Sequence, residues 1–439
     1  MTFQAKLTTK IENISTNDTI VELKNNVTKE QLNQIVKNLL QQRDDIDDLD
    51  KFSFDFLVGG RFLRLPVDKH LELYSDELNV EELLNEKLVE IEYFVSIDAP
   101  EPLEAVPHDD WVSCVDTAGS FIITGSYDNS IRILSLKDRK HLATIQDAHH
   151  KPITKVRWLY LPEGSNKNEL YFISSGHDEV SILRRLDTKS LKCETVFVYR
   201  GHNRSVNCLD CYENLLATGS FDKSLRIWST SMVEGDDECE ENVSSKDEMR
   251  GRKKLKIKSS DRAIEATDRT AIITLTGHQE SITGVKWLNN SNEFNTVATC
   301  SMDRSICFWD IEVGECKRRV LSAKPLLGID FSCENNLILS ASCDRYVRIW
   351  DSRAPDNATA KTAYTSHNAW VSSVAFGSNP NNFISGGYDN LVKLWDLRSP
   401  KACLYDMIGH HDKVLDVNWT NPAYVLSGSA DSTLKVFAT

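Results

Sequence analysis

The chain has 439 residues, a formal net charge of -14 and 26% charged residues. That length exceeds one compact core and predicts a large domain plus a smaller one. The acidic balance predicts a soluble protein and excludes broad wrapping by nucleic acid, and no apolar run approaches the ~18 residues of a membrane span.

The start, "MTFQAKLTTKIENIS", lacks the long apolar stretch of a secretory signal. Residues 1–98 contain no repeat. "QAKLTTKI" and "TIVELK" predict two strands. "VTKEQLNQIVKNLLQQ" predicts a helix, because Thr28 and Gln31 have capping-box spacing and Leu32, Ile35, Val36 and Leu39 make an apolar stripe. "FDFLVGGRFLRL" predicts two strands about Gly59–Gly60, and "LVEIEYFV" a last strand. If that strand begins near Leu88, then Val89, Ile91 and Tyr93 share one face and Glu90 and Glu92 the other. Strand, strand, helix and further strands within about ninety residues is an ubiquitin-like α+β order.

From about residue 101 one pattern recurs seven times: an Asp followed six places later by a large or long side chain. The aspartates are Asp128, Asp178, Asp222, Asp303, Asp344, Asp389 and Asp431. Four are followed by Trp228, Trp309, Trp350 and Trp395, and the others by Leu134, Arg184 and Phe437. The gaps are 50, 44, 81, 41, 45 and 42 residues, the third carrying an insertion. A period of about 40–45 residues with a W-D signature marks the four-stranded blades of a β-propeller. Six copies carry a His 20 to 29 residues before the Asp: His108, His149, His202, His278, His367 and His410. The fifth copy has none, and copies one, two and seven lack the Trp, so these blades are expected to be less well tied or to be used for other contacts. The last residues, "STLKVFAT", leave no outer strand for the seventh blade. A segment within 101–110 must supply it, which removes an exposed sheet edge. Residues 101–439 are therefore expected to form one seven-bladed propeller.

Eleven cysteines scattered through predicted strands fit a reducing, intracellular compartment. Cys208 and Cys211 form the single C-x-x-C pair. With no second pair or His cluster at ligand spacing, they read as core residues rather than as a metal or redox site. P-loop, H-E-x-x-H and nucleophile-elbow motifs are missing. Sevenfold repetition of the Asp and His assigns them to a scaffold, and no enzymatic activity is expected.

The repeats resemble the WD-repeat family, in which Asp, His, a strand Ser or Thr, and Trp form a buried hydrogen-bond chain; in the third copy these are His202, Thr218, Asp222 and Trp228. The whole chain resembles the WD-repeat subunits of the PeBoW complex of eukaryotic ribosome assembly, through "FDFLVGGRFLR", "VEIEY", "HDDWVSC" and "GSYDNSIRI". The resemblance implies a propeller that docks on the BOP (block of proliferation) protein and, with Pescadillo, joins the precursor of the 60S subunit. It implies that the front domain binds the midasin ATPase, lending one carboxylate to a Mg²⁺ held by that partner, with no cofactor of the chain's own. By the family's pattern the carboxylate is Glu86 in "LLNEKLVEIEY", with Glu82 as the alternative in another register and a solvated acidic loop as the plain reading.

The long third gap, about residues 232–265, is acidic and polar and then basic, and is expected to be disordered. Arg250, Arg252, Lys253, Lys254, Lys256 and Lys258 make the densest positive patch, open to three readings: a nuclear-import signal, contact with ribosomal RNA, or a solvated loop. The expected location is the nucleus, in nucleolus and nucleoplasm. Two W-D-x-R boxes, "WDSR" at 350–353 and "WDLR" at 395–398, keep a second function open, that of a substrate receptor for a cullin ubiquitin ligase.

Overall fold

The computed structural model describes residues 2–9, 14–15, 19–24, 26–41, 52–73, 88–96, 98–103, 105–159, 169–231, 267–290, 293–355, 359–365 and 367–439. It divides into two compact units, residues 1–112 with 327–439, and residues 113–326. The fold class is mainly β, with WD-type propeller blades following an α+β ubiquitin-like domain.

In the first unit, the front domain contains strands β1 (Thr2–Thr8), β2 (Ile20–Lys24), β3 (Phe54–Val58), β4 (Arg61–Phe62) and β5 (Leu88–Val95) in the sheet order β2-β1-β5-β3-β4. β1 and β5 run parallel at the centre of the sheet. The crossover between them carries helix α1 (Lys29–Leu40). Thr28 caps α1 in an extended conformation, and its backbone N–H donates to Gln31 Oε1 at 3.2 Å. Leu32, Val36 and Leu40 bury the apolar face of α1 against Val89, Ile91 and Tyr93 of β5. Gly59 and Gly60, at φ 58° and 75°, give the β3–β4 hairpin the left-handed pair that its twist requires. A second helix, α2 (Val67–Leu73), is too short to show a period in the sequence; its seven residues bury Val67, His70 and Leu71 at helical spacing.

The same unit contains the fifth, sixth and seventh blades. The strand Thr433–Ala438 is flanked not by a following strand but by two short earlier ones, β6 (Glu101–Pro102) and β7 (Val106–Pro107). Pro102 stands opposite Phe437 and Val106 opposite Leu434, so the segment expected to complete the last blade does so. The second unit contains the first four blades. There the strand Thr267–Arg269, which follows the insertion, pairs in parallel with Cys193–Arg200 at the outer edge of the second blade. Only afterwards does Ile273–Thr276 complete the third blade. The Arg269 guanidinium lies 4.2 Å from the Phe197 ring centre, so this added strand covers an edge otherwise open to pairing.

Candidate functional site

The repeated aspartate is positioned by a turn. In six copies the next residue has a left-handed backbone, with φ between 60° and 71° at Asn129, Glu179, Lys223, Arg304, Asn390 and Ser432. The carboxylate stabilises that turn by accepting the N–H two residues on, as Asp222 Oδ1 does from Ser224 at 2.9 Å. Its second oxygen is then free to face the histidine.

In the third blade His202 Nδ1–H donates to Asp222 Oδ2 at 2.8 Å, and Thr218 Oγ1 lies 2.8 Å from Nε2. Trp228 Nε1–H donates to Thr218 Oγ1 at 2.8 Å, which completes the chain. The carboxylate thus takes one ring nitrogen and the Thr218 hydroxyl the other, so both nitrogens are satisfied. The fourth blade repeats this with His278, Asp303, Thr299 and Trp309, and the sixth with His367, Asp389, Ser385 and Trp395. In the seventh, His410 bonds Asp431 at 2.9 Å and Ser427 at 2.7 Å, while Phe437 is buried at the Trp position.

In the second, fifth and seventh blades the structure corrects the expectation that incomplete copies are less well tied. In the second blade Arg184 occupies the Trp position and is buried; its Nη1 donates to Ser174 Oγ at 2.6 Å and its Nη2 to the carbonyl of Ala148. His149 closes that chain, 2.8 Å from Ser174 and 3.0 Å from Asp178. Burial pushes the Arg184 guanidinium down to about 10, still charged at neutral pH. In the fifth blade, which has no His, Arg348 donates to Asp344 Oδ2 at 2.6 Å and to Ser342 Oγ at 2.8 Å, and Trp350 keeps its bond to Ser340. Arg132 stands at the same offset from Asp128 in the first blade, at 3.6 Å. His108 has its Nδ1 3.3 Å from the Val106 carbonyl.

A second set of aspartates was not singled out in the sequence. Asp116 Oδ2 accepts Trp158 N–H at 2.8 Å, Asp210 Oδ2 accepts Trp287 N–H at 2.9 Å, and Asp330 Oδ2 accepts Phe376 N–H at 2.7 Å. Each bond reaches the first strand of the following blade. The visible signal was an aliphatic residue before Asp in "CVDT", "CLDC" and "GIDF".

Cys208 and Cys211 sit three apart on one strand, so they point to opposite faces and pack in different core clusters. Among the described residues no group of three or more metal-ligating side chains gathers, and no helix is long and apolar enough to cross a membrane. Glu86, Glu82 and the basic run Arg250, Arg252, Lys253, Lys254, Lys256 and Lys258 lie outside the described residues. β5 does begin at Leu88, with Val89, Ile91 and Tyr93 buried and Glu90 exposed.

The other face of β5 meets the sixth blade. Phe94 packs with Leu57 and Phe62 against Leu394, Leu404 and Met407. The Arg398 guanidinium lies 3.7 Å from the Phe94 ring centre while bound to Asp396, which is fully buried. Arg64 Nη2 donates to the Leu404 carbonyl at 3.0 Å. The arginine of the "WDLR" box is thus committed to holding the front domain, whereas Arg353 of "WDSR" is exposed and bonds only its neighbour Asp351 among the bonds described for it.

Residues 3–71 match the NLE (NUC135) domain, and 102–135, 193–229, 269–310, 314–351, 359–396 and 401–437 match the WD domain, G-beta repeat. The copy with Asp178 and Arg184 is not among the matched repeats, yet it folds as a blade sheet. The chain is 40% identical over 99% of its length to a ribosome biogenesis protein WDR12 homolog of Ixodes scapularis, covering 98% of that protein. It is 35% identical to the homolog of Aedes aegypti, covering 95% of it, and 37% identical to that of Drosophila erecta, covering 94%, each over 99% of this chain. An NLE domain followed by WD blades, matched from end to end, places the chain in the family of WD-repeat ribosome biogenesis proteins.

Proposed function

We propose that the protein is a non-enzymatic assembly factor for the large ribosomal subunit. Its propeller docks on the BOP protein and, with Pescadillo, on the pre-60S particle. Its front domain offers Glu86 to the magnesium of the midasin ATPase, and ATP-driven motion of that partner releases the complex. The full-length likeness to ribosome biogenesis proteins, with both domains in the same order, carries this reading. Two features of the chain support the mechanism. Glu86 precedes by two residues a strand at the centre of the front sheet, so a pull on it would enter the domain through a strand that is paired on both sides. The Phe94–Arg398 junction then passes that load to the sixth blade. The histidines and aspartates of the repeats are absorbed in buried chains and need no catalytic role. The basic run at 250–258 serves nuclear import in this reading.

The test is a pull-down with the midasin adhesion domain in magnesium. Glu86→Ala is expected to abolish capture, and a melting temperature equal to that of wild type would separate lost binding from lost folding. Loss of capture in Glu82→Ala alone would move the role to that residue. Capture of both variants at the wild-type level would end the proposal.

A further inference from the structure

We propose that the cavity between the front domain and the sixth blade binds a phosphoryl anion, as orthophosphate or as the end group of a phosphate monoester. The cavity has a volume of about 100 Å³, and its walls join Arg61, Arg64 and His70 of the front domain to Ala402 and Cys403 of the sixth blade. Arg61 lies on β4, Arg64 in the segment that follows it, and His70 on α2. Three successive pieces of chain thus bring nitrogen-bearing side chains to one small space. A water takes about 30 Å³ of the liquid, so the space suits a four-oxygen anion and leaves any organic part of an ester outside.

The lining sets the sign of the ligand. It holds two guanidinium groups and no carboxylate, in a chain whose formal net charge is -14. Asp406, which accepts from the Cys403 thiol at 3.2 Å, is paired with Lys393 Nζ at 2.5 Å, so its charge is already matched and does not offset the arginines. His70 is 2% exposed, and burial, with the Arg61 charge adding to it, holds its ring below 6.5. At neutral pH the two arginines therefore carry the charge, and His70 forms an uncharged inner wall.

Arg64 is fixed before any ligand arrives. Its Nη2 donates to the Leu404 carbonyl at 3.0 Å, and its Cζ stands 5.4 Å from the Phe62 ring centre and 5.5 Å from that of Tyr405. One ring belongs to the front domain and the other to the sixth blade, so the guanidinium is held across their junction. It makes no ion pair with a described residue, and its planar fork keeps donors for the paired oxygens of a phosphoryl group. Because the walls come from both sides, an anion that fills the cavity ties the segment 61–70 to residues 402–403.

The experiment is isothermal titration calorimetry on the full chain at neutral pH, with inorganic phosphate and methyl phosphate as separate probes. Inorganic phosphate should bind and raise the melting temperature above that in sodium chloride of equal ionic strength. Binding of methyl phosphate as well would assign the site to the end group of an ester, and binding of inorganic phosphate alone would assign it to the free ion. Loss of one charge-assisted donor group should weaken binding about ten-fold in Arg61→Gln and in Arg64→Gln. Ala402→Asp keeps both arginines, adds a carboxylate to the opposite wall and should abolish binding. Added phosphate should slow amide hydrogen exchange at residues 61–71 and 402–407 and leave α1 unchanged. Equal melting temperatures in phosphate and chloride, slowing confined to other segments, or wild-type binding by Ala402→Asp would each overturn the proposal.

Discussion

Asp222 accepts four hydrogen bonds, and they decide how it responds to acid. Its Oδ2 takes the protons of His202 Nδ1 and Asn203 N, and its Oδ1 those of Ser224 N and Oγ. Burial pushes such a carboxyl up, but the hydrogen bonds prevail and hold Asp222, Asp303 and Asp431 below the usual range, Asp431 at about 2. The unfolded chain therefore takes protons first as pH falls from near 3.8. This stabilisation is complete above about pH 4 and is lost towards pH 2. His149 and His410 act in the same sense, because burial lowers them below 6.5 and the unfolded state charges first. His278 runs the other way: against burial, Asp303 and Cys307 raise it to about 9, so its contribution is full below pH 6.5 and fades as pH rises through 9. The melting temperature is thus expected to fall steadily from pH 6.5 to 3, and Asp431→Asn to fall less steeply than wild type below pH 4. Parallel curves for the two proteins in calorimetry would show that Asp431 is not the group titrating. These residues were legible from their spacing. The roles of Arg184 and Arg348 as stand-ins were not, since an arginine on a blade strand is more often a surface residue and only the coordinates show Arg184 buried and Arg348 half-buried.

At the scale of elements, the seventh blade depends on residues from the other end of the repeats. The strand Thr433–Ala438 pairs with β6 and β7, and Leu103 N–H donates to the Val436 carbonyl at 2.9 Å. Deleting residues 101–107 would leave that strand with a bare edge, a template for intermolecular pairing. The deleted protein is expected to melt lower and to elute as aggregates in size-exclusion chromatography, and a monomer of wild-type stability would contradict the pairing. The need for this strand was readable, because a blade that ends on its third strand must borrow a fourth. Helix α2 was not readable: its seven residues carry too little periodicity to separate a short helix from a loop. The strand Thr267–Arg269 follows a charged insertion, and its parallel partner lies about seventy residues earlier, so nothing local marks it.

At the scale of the molecule, within the unit that holds the front domain and the last three blades, β5 serves two packings at once. Tyr93 faces the front core and Phe94 the sixth blade. Truncating a buried Phe costs about 3–5 kcal/mol, and at position 94 the loss should fall on the junction. Phe94→Ala is expected to raise amide hydrogen exchange across residues 403–407, while α1, whose contacts run through Leu32, Val36 and Leu40, keeps its protection. Equal loss of protection in α1 would mean that the two packings are not separable.

Sequence alone determined the count of blades, the repeated Asp with the His and Trp of the copies that carry them, the borrowed strand and the element order of the front domain. All of these are written as local period, alternation or spacing, which short-range sterics and burial impose on any chain of this type. Tertiary structure alone decided that Arg184 and Arg348 complete broken chains, that Asp116, Asp210 and Asp330 tie one blade to the next, and that Arg398 holds Phe94. Those contacts join side chains remote in sequence whose partners are set by packing, and a buried charge or an unpaired N–H shows its need of a partner only once the chain around it has closed.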